Sequence, residues 1–135
     1  MKLSDEEQTF VTGIADPIEG GLELMKRYPL ELLAVTMGPK GLVLFNNGLY
    51  AEGRSYDVNT KDTTGAGDAM WGGTLAWILK NTTLPVKLDQ KQLQELARFA
   101  NGAGSVCTTR FGAITAMPTE EEIRACVAGT PELLV

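Results

Sequence analysis

The chain reads as an α/β protein of helices layered on a small sheet. Three observations carry that expectation: a continuous apolar run at Leu32–Met37, an Asn47-Gly48 pair between two further apolar segments, and helix-start signals interspersed with them. A short unbroken apolar run is what a strand covered on both faces shows. Asn-Gly supplies the two positive φ angles a tight hairpin needs. Elements mixed in this order pack in layers around one core.

Met1–Leu3 reads as the end of a strand. Ser4 and Glu7 have capping-box spacing, in which the two side chains satisfy each other's first-turn amides, so a helix starts there. Asp16 as N-cap and Pro17 at the first helical position open a second helix, running to about Tyr28. Gly20 and Gly21 should weaken it, since each costs about 1 kcal/mol relative to alanine inside a helix. The strand at Leu32–Met37 ends in Gly38-Pro39-Lys40-Gly41. Leu42–Asn46 and Leu49–Gly53 are the arms of the hairpin. Tyr56-Asp57-Val58-Asn59-Thr60 alternates apolar and polar, which predicts a half-buried strand.

An apolar-periodic run, Ala69 to Leu79, predicts a helix, and Asn81 to Leu88 a polar loop. Asp89 caps a long helix with Leu93, Leu96, Ala97, Ala100, Ala103, Gly104 and Cys107 along one stripe. Its small residues permit either tight packing or the approach of a flat ligand. Phe111-Gly112-Ala113 is a turn. Pro118 and a Thr119/Glu122 capping box open the last helix.

At 135 residues, 44% of them apolar, the chain has the composition of one soluble globular domain. A net charge of −5 argues against nucleic acid or a membrane surface as partner. No apolar stretch nears the ~18 residues of a membrane span, and no signal peptide opens the chain. Cys107 and Cys126 lack metal-type spacing and read as reduced, buried thiols, the pattern of a cytoplasmic protein. Histidine is absent, which excludes Ser-His-Asp and Cys-His catalysis and histidine-bound zinc.

The chemistry concentrates in Asp62-Thr63-Thr64-Gly65-Ala66-Gly67-Asp68. Two glycines flanking an alanine let successive N–H groups converge at a helix N-terminus, which carries about half a positive charge. Phosphate suits that place, and Asp68 in the first turn could take a proton from an attacking hydroxyl. The plain alternative is a sharp turn with Asp68 stabilising the helix end. Neither a P-loop nor a dinucleotide fingerprint is present to decide between them.

The same residues resemble the D-T-x-G-A-G-D signature of the ribokinase-like (PfkB-type) carbohydrate kinases. Lys2-Leu3-Ser4-Asp5-Glu6-Glu7 is similar to their N-x-x-E region in its fructokinase form, K-x-S-x-x-E. Val35-Thr36-Met37-Gly38-Pro39-Lys40-Gly41 is similar to their V-T-x-G-x-x-G segment. Ala100-Asn101-Gly102-Ala103-Gly104 and Phe111-Gly112-Ala113 resemble their adenine-side helix and closing turn. The resemblance implies transfer of phosphate from ATP to a sugar, with Mg²⁺ and in many relatives a monovalent cation such as K⁺. It makes Asp68 the base and the amides of Gly65, Ala66 and Gly67 the anion hole. Thr36, Gly38, Gly41 and Asn101 would line the nucleotide, and Glu7 would help place Mg²⁺. Asp62 and Thr64 would help hold the monovalent cation, with Gly112 in the turn that closes that site.

Ser4 departs from the family's usual Asn, and Met70 stands where Phe is commoner. Family members are about twice this length, and their first half supplies the sugar-binding residues and a lid. The chain therefore reads as the C-terminal, nucleotide-binding half of such a kinase, its acceptor fructose or, alternatively, a nucleoside or another small molecule. It would bind ATP, need an N-terminal partner half or a second copy, or persist as a non-catalytic remnant. An unpaired sheet edge and uncovered apolar helix faces are expected.

Overall fold

The computed structural model describes residues 1–135. Its elements run β1 (Lys2–Ser4), α1 (Asp5–Thr12), α2 (Pro17–Arg27), β2 (Leu33–Thr36), a 3₁₀ turn (Gly38–Lys40), β3 (Leu42–Asn46), β4 (Leu49–Gly53), α3 (Ala66–Asn81), α4 (Gln90–Thr108) and α5 (Glu120–Gly129). The strands form one sheet in the order β1-β2-β3-β4. β1 lies parallel to β2, with Lys2 opposite Ala34 and Ser4 opposite Thr36, whereas β2–β3 and β3–β4 are antiparallel.

Local sequence explains the element ends. Ser4 and Glu7 make the expected capping box, as do Thr119 and Glu122, and Asp16 accepts the amides of Ile18 and Glu19. Asp89 caps α4 with a box of its own to Gln92. Asn47 and Gly48 adopt φ of 51° and 77°, the hairpin conformation their sequence requires.

Successive side chains along β2 and β3 face opposite ways and bury two cores. Ala34, Leu42 and Leu44, with Ala51 of β4, pack against Met70, Trp77, Leu93, Leu96 and Ala100 of α3 and α4. Leu33, Val35, Val43 and Phe45 pack against Leu24 of α2. The result is helix, sheet, helix in three layers. The buried Asn46 ties the α3–α4 connection to the sheet. Its amide nitrogen donates to the carbonyls of Glu31 and Val86, and its oxygen accepts from the Leu88 amide.

Two sequence expectations change. Residues 56–60 form no strand. Tyr56 makes one isolated bridge to Glu132, and its amide donates to Ser105 Oγ of α4 at 3.0 Å. The alternation is real, because Tyr56 and Val58 pack on Val106 and Cys126, but they cover helices rather than extend the sheet. Farther along, the amides of Lys61 and Asp62 are taken up by the Thr108 carbonyl at the end of α4. The glycine turn is therefore reached from a loop over α4, and its helix starts at Ala66, earlier than the periodic run indicates.

Gly20 and Gly21 are not a weakness of α2. A Cβ on Gly21 would stand 2.2 Å from the Phe45 ring, and one on Gly20 would stand 1.7 Å from the buried Gln8 amide. Glycine here lets α2 seat directly on β3 and α1.

The edge of β1 away from β2 is unpaired, and Phe10 of α1 and Leu79 of α3 are among the exposed apolar side chains. No helix is long and apolar enough to cross a membrane.

Gly21→Ala should destabilise the chain by about 1–3 kcal/mol through overpacking against Phe45. Gly72→Ala, where an added Cβ meets nothing within 4 Å, should instead stabilise α3 by about 0.5–1 kcal/mol. Urea unfolding of the two variants checks this, and equal midpoints would refute the packing account.

Candidate nucleotide and phosphate site

Parallel β1 and β2 end side by side at Ser4 and Thr36. Open α/β sheets bind ligands beyond such carboxyl ends. A cleft of about 400 Å³ opens there, within the range of small-molecule sites. Thr36, Gly38 and Gly41 line one side, Ala66 and Gly67 another, and Asn101 a third. The structure thus gathers three separate sequence segments on one cavity.

The glycine turn is held by a close approach to Ala113 and by three hydrogen bonds. Gly65 sits in the left-handed region at φ 80°, and a Cβ there would lie 2.8 Å from the Ala113 Cβ. Asp62 Oδ1 accepts the Thr64 amide at 2.9 Å, and its Oδ2 accepts the Gly112 amide at 3.0 Å. The same carboxylate therefore shapes the turn and pins the 110–113 loop across it. Beneath them the buried Cys107 thiol donates to the Thr64 carbonyl at 3.9 Å. With that geometry Ala66 and Gly67, the first residues of α3, line the cleft, and the Ala66 amide donates to the Thr63 carbonyl at 3.2 Å.

The remaining named residues lie outside the cleft lining. Asp68 is exposed in the first turn of α3. Gly65, Asp62 and Thr64 form the turn behind the lining. Glu7 is exposed in the first turn of α1, at the sheet end shared with Thr36, where its Oε2 accepts the Ser4 amide at 2.8 Å. No group of three or more metal-ligating side chains is assembled.

Backbone donors set the carboxyl groups. The Thr64 amide, the Thr64 side chain and the Gly112 amide hold Asp62 below its ordinary pKa. The Ser4 amide does the same for Glu7, with smaller help from the Ser4 hydroxyl and the Lys2 ammonium. Burial pushes both cysteine thiols up, and both are unpaired.

Sequence reasoning missed much of the cleft. Ser105 and Thr108 line it together with Asn101 and Gly104, and all four fall at helical spacing on one face of α4. That periodicity was available. Tyr56 and Leu133 also line it, and no local signal marks them. The small stripe of α4 divides its work. Ala97 and Ala100 join the sheet core, while a Cβ on Gly104 would lie 3.3 Å from the Ala66 carbonyl oxygen.

The fold and the cleft define a layered α/β domain with a ligand-sized cleft at the carboxyl ends of its parallel strands. Residues 1–120 match the sequence profile of the pfkB family carbohydrate kinases, and the chain belongs to that family. It is 37% identical over 130 residues to a probable fructokinase-4 of Arabidopsis thaliana, covering 96% of this chain and 39% of the relative. It is 39% identical over 125 residues to fructokinase-1 of Zea mays, covering 91% and 38%. The crystal structure of a Vibrio cholerae fructokinase with fructose, ADP and calcium bound superposes with a TM-score of 0.77 at 32% identity, over 93% of this chain and 40% of that one. A Xylella fastidiosa fructokinase with bound ATP gives 0.81 at 26% identity, over 94% and 41%. The chain spans about two fifths of the length of these relatives.

The Asp62 contacts carry a pH signature. A carboxyl whose pKa is lowered by folding stabilises the fold fully above its unfolded value, about pH 4, and ceases to as pH falls through the folded value. Asp62→Ala should therefore lower stability at neutral pH, with the gap to wild type closing below about pH 4. Thermal melts across that range test it, and a gap that stays constant in acid would refute it.

Proposed function

We propose that this chain is the nucleotide-binding half of an ATP-dependent sugar kinase, with fructose as the acceptor that its relatives favour. The observation that supports this best is one cleft shared by the glycine turn, the Thr36–Gly41 segment and Asn101. A nucleotide lying across it has its base near Asn101 and its terminal phosphate on the turn. Asn101 Nδ2 donates to the Ala97 carbonyl, which leaves its amide oxygen for the ligand.

The amides of Gly65, Ala66 and Gly67, aligned with the α3 dipole, stabilise the charge that grows on the transferring phosphoryl group. Asp68, on the open side of the turn, takes the proton of the acceptor hydroxyl. Its exposure matches an acceptor site completed by residues outside these 135, on the same polypeptide, a partner half or a second copy.

Magnesium fits the donor set. Mg²⁺ takes one or two carboxylates and keeps water and phosphate oxygens for the rest. Glu7, with Oε1 left over from its cap, is the group that would hold it, directly or through water. Bound there, the ion would supply positive charge against the negative charge of the phosphates. Asp62 and Thr64, beside the Gly112 turn, are proposed to face a monovalent cation; a related V. cholerae fructokinase carries a potassium ion.

Calorimetric titration of the purified chain should show Mg-ATP binding and no fructose binding. Tight fructose binding by these residues alone would refute the half-site reading. In the complete kinase, Asp68→Asn should lower kcat at least about a hundredfold with nearly unchanged ATP affinity. Turnover that survives within a few-fold would remove Asp68 from the role of base.

A further inference from the structure

We propose that Lys2 is a phosphate-binding residue of the site, its ammonium pairing with the phosphoryl group on the glycine turn; this rests on the kinase reading above. The register carries the first part. Lys2 lies opposite Ala34, so its side chain leaves the sheet on the face that Ala34 turns toward α3 and α4. There the ammonium approaches the turn. A Cβ placed on Gly67 would stand 3.4 Å from Lys2 Nζ and would meet nothing else within 4 Å.

The second part is the ammonium's lack of company. The chain's four ion pairs are Arg27–Glu23, Lys80–Glu120, Arg110–Glu122 and Arg124–Glu120. Lys2 is in none of them, although it is only partly exposed. Its charge is felt by Glu7, the proposed metal carboxylate, yet the Glu7 oxygen nearest a partner is committed to the Ser4 amide. An unpaired ammonium at the N-terminal turn of α3 leaves a position that an anion completes. Backbone amides supply fixed partial charges there, and Lys2 adds a full one.

The position also separates Lys2 from Glu7. Glu7 serves the phosphates through a cation, whereas Lys2 meets them directly, so the two are expected to act on different oxygens. Arginine at position 2 would keep the charge, and methionine would keep the stem while removing it.

The test is calorimetric titration of wild type, Lys2→Met and Lys2→Arg with adenosine, ADP and Mg-ATP, with circular dichroism to confirm folding. Lys2→Met should weaken Mg-ATP about tenfold or more, leave adenosine unchanged, and be largely rescued by Lys2→Arg. Mg-ATP affinity within twofold of wild type, or an equal loss for adenosine, overturns the proposal while leaving the kinase reading intact. A wild-type chain that binds none of the three overturns both. A measurement on wild type alone covers a variant that does not fold. Mg-ATP, but not adenosine, should slow acetylation of Lys2 by acetic anhydride, read by peptide mass spectrometry. Equal acetylation with and without Mg-ATP, at saturating nucleotide, overturns the role of Lys2.

Discussion

The close approach of α3 to its surroundings is the constraint on which the site depends. Gly65 turns left-handed against Ala113, Gly73 faces Ala103, and Gly104 faces the Ala66 carbonyl. Each contact leaves no room for an extra Cβ without displacement of its neighbour. Together they set where the N-terminus of α3 stands relative to the ends of β1 and β2. The cleft follows from that placement. Its volume lies between elements that have little freedom to slide.

What was legible in the sequence was mostly local. Capping boxes at Ser4/Glu7 and Thr119/Glu122, the Asp16-Pro17 start and the Asn47-Gly48 hairpin work through atoms a few residues apart, so a short window contains the whole interaction. What was not legible depends on distant partners. The alternation at residues 56–60 is compatible with a strand until the positions of α4 and the C-terminal segment are known, because the Ser105 hydroxyl and the Pro131 carbonyl take the Tyr56 and Asp57 amides that a neighbouring strand would have taken. Gly20 and Gly21 look costly until Phe45 and Gln8 are seen against them. Leu133 reaches the cleft only because Glu132 bridges Tyr56 and the Leu133 amide donates to the Ser55 carbonyl. The family signature carried the site further than propensities did, since it brings residues far apart in the chain to one place.

Asp62 shows how structural and functional roles overlap at such a turn. Both of its oxygens accept backbone amides, one local and one 50 residues away. A carboxylate engaged in this way closes the 110–113 loop without any ligand. Each oxygen still has a further lone pair. Shaping the turn and facing a cation are therefore compatible, and the structural role alone accounts for an acidic residue at this position.

Net charge misleads about phosphate. A chain at −5 has no long-range field that would attract an anion. Recognition must then be short-range, from groups whose charge is concentrated and whose positions are already paid for by folding. The helix amides of the proposed site would meet that requirement, because the left-handed Gly65 and the Asp62 bonds fix the turn that carries them. The proposed Lys2 contact would meet it, because the β1–β2 register brings its ammonium to the turn. The acidic surface and the proposed phosphate site differ in range, not in sign alone, so a net charge of −5 argues against long-range attraction of a polyanion without arguing against a nucleotide.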